Sequence, residues 1–329
     1  MIVLSLFNGM STGHTALENV GIKVDKYYSS EIKPSAIKLT QHHYPDTIQL
    51  GDINNWKEWD IDWKEINMVL SGSPCQDLSI AGKRKGLDGE RSGLFWVFVD
   101  ILNHIKELNP NVLFLQENVG SAPRGDVGIM SRALGVYPVR INSSLVTAQL
   151  RDRYYWTNIR TARDGIFGDV VTDIPQPADR KIMFKDIVTG GAVKVDKSVC
   201  LLERTIASAS YKDLNSDKAQ KFLKERESRS MMSLVYVDRD KSYALLESIK
   251  SVCNNKNQNS IQNRINQRMH PVIYEDKVAR IVNKVEMCRL QGFPDDWCDI
   301  LTDVEAGSLL GDGWTLPIIE HIFSYIKTK

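Results

Sequence analysis

Residues 2–13 read IVLSLFNGMSTG, a mostly apolar run followed by a polar loop with two glycines. A short apolar run bounded by a turn signal is typical of a buried β-strand, and glycine lets a loop backbone approach a ligand closely. The same arrangement recurs through the first 160 residues. Four further runs, each followed by polar residues, lie at 24–30, 48–50, 68–70 and 112–115.

Helical spacing appears between the last two of these runs. Apolar residues recur there three and four positions apart, which predicts a helix with one buried face. They are Leu94, Val97, Phe98, Ile101, Leu102 and Ile105. Residues 139–141 and 154–159 add two strands, and 317–326 has the pattern of a closing amphipathic helix. Strands that alternate with helices predict a doubly wound α/β fold with a mostly parallel sheet.

The alternation stops near Ile174, where prolines and the Gly190–Gly191 pair interrupt it, and regular structure resumes near Lys284. We therefore expect a first domain at 1–174, a separate region at 175–280 and a return to the first domain at 281–329.

The charge is unevenly distributed, although the 329-residue chain has a formal net charge of only +1. Residues 180–270 hold 18 Lys and Arg against 10 Asp and Glu, which favours a polyanionic partner. Residues 248–274 contain no acid and are rich in Asn and Gln, side chains that read base edges. Taken alone, such a stretch is equally typical of an exposed polar loop. The candidate DNA contacts here are Asn257, Gln258, Arg264 and Arg268.

The five cysteines are odd in number and form no C-x-x-C pair. This pattern argues against a disulfide framework and against a structural zinc site, and it favours a reducing compartment. No apolar run approaches the ~20 residues of a membrane span, and the first ten residues have the pattern of a strand rather than of a signal peptide.

Polar residues repeatedly follow the predicted strands, at the edge where open α/β sheets bind ligands. Glu31 follows the second strand, where an acid can accept hydrogen bonds from ribose hydroxyls. Asp52 follows the third strand, where it can accept one from an adenine amino group. Either acid alone is more typical of a helix cap. Together with the loop at 7–13, they indicate a cofactor that contains adenosine.

Cys75 follows the fourth strand within Ser-Pro-Cys-Gln, which makes it a candidate nucleophile. The alternative is a buried free cysteine, the usual state of a lone one. Glu117 at the fifth strand offers a carboxyl group beside it. Gln149, Arg151 and Arg153 alternate, which places their side chains on one face if they share a strand.

The order F-x-G, P-C-Q, E-N-V, Q-x-R-x-R, R-L-Q-G-F-P and a late G-x-G-W resembles the cytosine carbon-5 DNA methyltransferase family. The resemblance runs from Phe7 to Phe323 and is strongest to the catalytic domain of the mammalian de novo enzymes. It implies a seven-stranded S-adenosylmethionine-dependent methyltransferase fold, with a catalytic and cofactor-binding domain at 1–174, a target-recognition region at 175–280 and a return to the catalytic domain at 281–329. The chain lacks that group's regulatory domains, and its compactness suggests a bacterial or phage member.

The resemblance also implies roles for four residues. Cys75 would attack carbon 6 of a flipped-out cytosine, and Glu117 would hold and protonate ring nitrogen 3. Arg151 and Arg153 would contact the base carbonyl and the phosphate side. A methyl group would then pass from S-adenosylmethionine to carbon 5.

Two further sets of contacts are implied by the resemblance. The cofactor would contact Phe7, Asn8, Gly9, Thr12, Gly13, Glu31, Ile32, Asp52, Ile53, Pro74, Leu94 and Trp314. Double-stranded DNA would contact Gln76, Ser79, Ala81, Lys83, Arg84, Asn118 and Gln149, besides the four residues named above. No metal is expected, and the implied location is the cytoplasm of a bacterial or phage-infected cell.

The chain departs from the family at two places. One is Gly311-Asp312-Gly313-Trp314, where most bacterial members have Gly-Asn-Ser or Gly-Asn-Ala. The other is Ala81, because the family often inserts a side chain here into the gap that the flipped base leaves, and alanine is small for that purpose.

Two alternatives remain open. One is a tRNA methyltransferase, although the Cys-Phe-Thr tripeptide of that branch is absent. The other is a silent DNA-binding homologue. A cognate restriction endonuclease is a candidate partner.

Overall fold

The computed structural model describes residues 1–74, 93–166, 168–201, 217–228, 233–238 and 277–327. The chain divides into two compact units. The first unit comprises Met1–Val146, Arg151–Asp179 and Gly313–Lys329, and the second comprises Thr147–Leu150 and Arg180–Asp312.

Within these ranges thirteen strands are assigned. They are β1 (Ile2–Leu6), β2 (Lys26–Ser30), β3 (Ile48–Gln49), β4 (Met68–Ser71), β5 (Leu113–Val119), β6 (Val139–Asn142), β7 (Gln149–Leu150), β8 (Asp152–Thr157), β9 (Thr161–Asp164), β10 (Asp169–Thr172), β11 (Ser198–Val199), β12 (Val235–Asp238) and β13 (Lys277–Arg280). The α-helices of the same ranges are α1 (Thr12–Asn19), α2 (Pro34–His43), α3 (Gly93–Leu108), α4 (Arg124–Leu134), α5 (Phe184–Ile187), α6 (Asp217–Ser228), α7 (Lys284–Gln291), α8 (Asp303–Asp312) and α9 (Leu316–Phe323). Short 3₁₀ helices cover Ile53–Glu58, Trp63–Glu65 and Ser143–Leu145.

Seven of the strands described form the central sheet of the first unit, in the order β3-β2-β1-β4-β5-β8-β6. Strands β1 to β5 pair in parallel, whereas β8 runs antiparallel to both of its neighbours. The predicted doubly wound, mostly parallel α/β sheet is therefore confirmed. Because parallel strands end at a common edge, the residues that directly follow β1, β2, β3 and β4 lie along that edge.

Helix α3 supplies much of the core beside this sheet, as its spacing predicts. Phe98, Ile101 and Ile105 are fully buried, and they pack with Leu4 of β1 and Phe114 of β5 in one apolar cluster. The predicted closing helix is present as α9, which carries a proline in its first turn. In the described part of the chain no helix is both long and apolar enough to cross a membrane.

Glu117 and Asn118 lie at the end of β5, as expected, and antiparallel pairing with β8 extends the strand by one more residue, to Val119. One expectation about strand boundaries is wrong. Gln149 and Arg153 do not share one strand. Gln149 belongs to β7 of the second unit and pairs with β11, and the chain leaves that pairing at Arg151 before β8 begins.

The second unit contains a buried ion pair that joins β13 to α7. Arg280 donates two hydrogen bonds to the Glu286 carboxylate, each 2.7 Å long, and both side chains are almost fully buried. The carboxylate also accepts hydrogen bonds from the backbone N–H groups of Thr189 and Asn283. Burial alone would raise the pKa of Glu286, but Arg280 and these N–H groups together hold the pKa below its ordinary value of 4.5.

This ion pair predicts a pH dependence of stability. Because the folded state lowers the pKa of Glu286, its contribution is complete above pH 4.5 and is lost as the pH falls through the folded value. Glu286→Gln should lower the free energy of unfolding at pH 7 by ~3–5 kcal/mol, since Arg280 is left buried without a counter-charge. It should also flatten the decline below pH 4.5.

Urea unfolding at several pH values measures both effects. Asp295→Asn is the matched control, because the Arg289–Asp295 pair is solvent-exposed and should contribute no more than ~1 kcal/mol. Equal losses for the two variants would contradict the assignment of Glu286.

Candidate active site

The loop between β1 and α1 has an unusual backbone. Phe7, Gly9 and Ser11 all have left-handed φ angles, of 57°, 56° and 58°. For the two residues with side chains this conformation is unfavourable by ~1–2 kcal/mol each, and it persists only where the surroundings enforce it. Such enforced strain is frequent at ligand-binding loops.

Hydrogen bonds fix this loop. The buried Asn8 amide donates to the hydroxyls of Ser11 and Thr40 at 2.8 and 3.1 Å, and its carbonyl oxygen accepts from the Tyr27 hydroxyl. Among the described residues, a Cβ on Gly9 would meet only the Phe7 carbonyl oxygen, at 4.0 Å, so this part of the structure leaves the space above Gly9 open. The side chain of Asn8 therefore shapes the loop from within.

Glu31, just beyond β2, reaches across to the same loop. Its Oε2 accepts from the Gly9 N–H at 2.8 Å, and its Oε1 accepts from the N–H groups of Ile32 and Lys33. A carboxylate has about four lone-pair sites, so three bonds leave room for one further donor. The Ile32 side chain is 70% exposed.

Asp52, just beyond β3, has the helix-cap role that was the alternative to cofactor binding. Its Oδ1 accepts from the backbone N–H and the side-chain amide of Asn54, both at 2.9 Å, and so caps the following 3₁₀ helix. Its Oδ2 takes part in neither bond. Ile53 is buried beneath the cap.

Thr12 and Gly13 begin α1 at the same edge, and both are buried. A Cβ on Gly13 would lie 2.3 Å from Cδ1 of Leu70 and 3.2 Å from the Tyr27 hydroxyl. No side chain fits between α1 and β4 at this point. Pro74 and Leu94 are half-buried.

Gly13→Ala should therefore destabilise the protein by ~1–3 kcal/mol, the usual range for overpacking a core. Gly125→Ala is a matched control, because a Cβ at that position in α4 meets no atom within 4 Å in the part of the chain that the structure describes. Alanine there should be neutral or slightly stabilising. Thermal and urea unfolding measure both variants, and an unchanged Gly13→Ala protein would contradict the close packing.

Glu117 lies near the carboxyl end of β5 with 8% of its surface exposed. Arg153 of β8 contacts its Oε1 through Nε at 2.8 Å, and the indole N–H of Trp314 donates to its Oε2 at 3.1 Å. Both carboxylate oxygens thus have a donor, one positively charged and one neutral. Burial, followed by the charge of Glu117, raises the pKa of the neighbouring Tyr155 hydroxyl and keeps it neutral.

Arg151, also assigned to catalysis, is 3% exposed and donates through Nη2 to the Gly313 carbonyl oxygen at 2.8 Å. Asn118 is 2% exposed, and its Oδ1 accepts from the N–H of Val119. Gln149 is fully buried in the second unit, where its amide donates to Leu290 and accepts from Leu201. The structure thus brings Glu117 and Arg153 together. The side-chain amide of the buried Gln149 instead forms its hydrogen bonds with residues of the second unit.

Several predicted site residues lie outside the described ranges. Of the catalytic set this applies to Cys75, and of the DNA-contacting set to Gln76, Ser79, Ala81, Lys83, Arg84, Asn257, Gln258, Arg264 and Arg268. Their roles stay predictions. Pro74, the residue before Cys75, follows the end of β4 at the same sheet edge as Glu31.

The structure adds contacts that sequence patterns did not indicate. The fully buried Gln116 donates to the Ser73 hydroxyl at 2.9 Å and to the Glu117 carbonyl oxygen at 2.8 Å. It thereby joins the ends of β4 and β5. Gly72 lies against the Trp314 indole. The only available signal was the position of these residues after predicted strands.

Comparison with known proteins gives a consistent assignment. The family model of the C-5 cytosine-specific DNA methylases matches residues 1–126 and 138–328. The orphan methyltransferase M.SPRI of Bacillus phage SPR is 29% identical over 270 residues, which cover 78% of this chain and 56% of the phage protein. The type II methyltransferase M.HpaII of Haemophilus parainfluenzae is 25% identical over an alignment of 343 positions, which covers 99% of this chain and 89% of that protein.

The chain thus spans about half the length of the phage relative. Solved structures agree on the fold. The Schizosaccharomyces pombe Dnmt2 methyltransferase superposes with a TM-score of 0.57 at 16% identity, over 99% of this chain and 98% of that one. An Entamoeba histolytica methyltransferase gives a TM-score of 0.60 at 13% identity, over 99% and 97%. Since the family model matches most of the sequence and the fold agrees, the chain belongs to the C-5 cytosine-specific DNA methylase family.

Proposed function

We propose that this protein transfers a methyl group from S-adenosylmethionine to carbon 5 of cytosine in double-stranded DNA. The observation that carries the proposal is the Glu117 carboxylate, held between Arg153 and Trp314 at the sheet edge. Pro74 follows β4 at this edge and directly precedes Cys75 in the sequence. A carboxyl group and a cysteine thiol are the two groups that this chemistry requires, and the sequence offers them at Glu117 of β5 and at Cys75, four positions after the last residue of β4.

The residues at this edge suit the proposed cofactor. The open space over Gly9 admits a ligand against the loop backbone, and the spare lone pair of Glu31 suits a ribose hydroxyl. Oδ2 of Asp52 suits an adenine amino group. Phe7, Asn8, Thr12, Gly13, Ile32, Ile53, Pro74, Leu94 and Trp314 complete the proposed contact set. S-adenosylmethionine, when bound, supplies a methyl group on a sulfonium centre.

Cytosine is an electron-poor ring, so its carbon 5 needs activation before it can accept a methyl group. The Cys75 thiolate adds to carbon 6, and Glu117 holds nitrogen 3 and supplies its proton, which leaves carbon 5 nucleophilic. After carbon 5 is methylated, it loses its proton to water. The electron pair of that C–H bond restores the ring double bond and expels Cys75 as a thiolate, and nitrogen 3 returns its proton to Glu117. The target base must leave the duplex to reach these groups.

The two arginines have separable parts in this scheme. Arg153 already contacts Glu117 and is partly exposed, so it can also reach the carbonyl oxygen of the base. Arg151 is buried and bonded to the Gly313 carbonyl, which suits a role in holding the site together as well as the predicted contact. Sequence reading is assigned to residues 175–280, above all to the acid-free stretch at 248–274.

Methyl transfer assays with labelled S-adenosylmethionine test the substrate class. Duplex DNA, tRNA and a protein-only blank are incubated side by side with the wild-type chain. We expect label in DNA and none in tRNA. Label in tRNA alone would replace the proposal with RNA methylation, and binding of DNA without label in either would indicate a silent homologue.

A further inference from the structure

We propose that Trp314 is a positioning residue that fixes the plane of the Glu117 carboxyl group through its indole N–H. This inference rests on the function proposed for Glu117 above. The bond from Nε1 of Trp314 to Oε2 of Glu117 measures 3.1 Å and joins residues 197 positions apart.

The two donors on Glu117 have complementary effects. With Arg153 on Oε1 alone, the carboxyl group can still turn about the bond to its own side chain. A second donor on Oε2 fixes the plane of the group, because both oxygens must then keep their positions. Each oxygen retains a further lone-pair site for a ligand. A fixed acid in the correct orientation is worth more to a reaction than a rotating one.

Hydrogen bonds fix the residues directly before and after Trp314. Arg151 donates to the carbonyl oxygen of the preceding Gly313 at 2.8 Å. The following Thr315 shares a hydrogen bond of 2.9 Å with the Ser143 hydroxyl, and both residues are buried. The backbone on either side of Trp314 is thereby tied to the first unit.

Gly72, the residue after β4, lies close against the indole of Trp314. A Cβ at this glycine would lie 2.8 Å from Nε1 and 3.3 Å from Cε2 of Trp314. Only glycine lets the ring lie so close to the β4 backbone. Gly72, Trp314 and Glu117 therefore form one line of contact from β4 to the acid on β5.

Trp314→Phe tests the inference, because phenylalanine keeps an aromatic ring against Gly72 and removes the N–H. At saturating S-adenosylmethionine, the single-turnover rate should fall about 10-fold, the usual effect of losing a hydrogen bond to a charged group. The KM for DNA should stay within about twofold. Trp59→Phe is the matched control, since Trp59 is a buried indole whose Nε1 has no hydrogen-bond partner among the described residues, and its rate should not change.

A double-mutant cycle separates positioning from general damage to the structure. In a Glu117→Ala background there is no carboxyl group to orient, so Trp314→Phe should lower the rate by less than about twofold. Gly72→Ala places a methyl group against the indole and displaces it, so this variant should also lower the single-turnover rate. Combined with Trp314→Phe, it should lower the rate little further.

Four results decide the outcome. The positioning role is overturned if the single-turnover rate of Trp314→Phe stays within twofold of wild type. It is also overturned if Trp314→Phe lowers the rate by the same factor in the Glu117→Ala background as in the wild-type protein. Either result leaves the proposed function intact. If Trp314→Phe fails to fold, an unchanged rate for Gly72→Ala overturns it instead. A wild-type protein that does not methylate DNA overturns the proposed function and the inference together.

Discussion

Cys75→Ser is expected to abolish methyl transfer while leaving the fold unchanged. The thiolate is the nucleophilic form of cysteine, and a serine hydroxyl is far less ionised near neutral pH, so it cannot add to carbon 6 at a useful rate. The variant should still bind S-adenosylmethionine and DNA, because the exchange of sulfur for oxygen removes no binding group. The assay is single-turnover transfer of a labelled methyl group to duplex DNA.

Trapping the covalent intermediate tests the role of Cys75 through the appearance of a product rather than through a loss of activity. DNA that carries 5-fluorocytosine should form a covalent adduct with the wild-type protein, because fluorine cannot leave carbon 5 as a proton does. The adduct should be absent with Cys75→Ser and present with Cys200→Ser, a matched change in the second unit. Turnover by the Cys75→Ser protein at the wild-type rate would exclude Cys75 as the nucleophile.

Glu117→Gln is expected to lower the rate of methyl transfer by ~10²-fold or more, the scale of general acid catalysis. Glutamine keeps the size of the side chain but cannot donate a proton as a carboxylic acid can. It also has a single oxygen for the two donors that Glu117 accepts from Arg153 and Trp314. The affinity for S-adenosylmethionine should change little.

Glu107→Gln, on the exposed face of α3, makes the same chemical change away from the site and should not alter the rate. Single-turnover rates with duplex DNA compare the two variants. A Glu117→Gln protein as fast as wild type would reduce Glu117 to a structural role.

Local patterns were sufficient for most of the fold. The apolar runs, the helical spacing of α3 and the glycine-containing loop after β1 are signals within a few residues, and they predict strands, helices and the ligand-binding edge. Glu31 was placed correctly for the same reason, because a polar residue that follows a strand is visible in the sequence. Its three bonds to backbone N–H groups were not.

Contacts between distant segments left no such signal. The bond between Trp314 and Glu117 depends on how two remote segments meet in the first unit. The break at Arg151 was mispredicted because strand length is set by pairing, here of β7 with β11 and of β8 with β5, and not by the alternation of residues alone. Alternation in Gln149-x-Arg151-x-Arg153 therefore suggested one strand where the chain passes between two.

The most direct test of the account is the fate of the hydrogen on carbon 5. Duplex DNA that carries tritium at carbon 5 of cytosine is incubated with the protein and ¹⁴C-methyl-labelled S-adenosylmethionine. If Cys75 and Glu117 act as proposed, one tritium atom should appear in water for each methyl group transferred to DNA. Methyl transfer with the tritium retained in the DNA would place the new methyl group elsewhere and contradict the account.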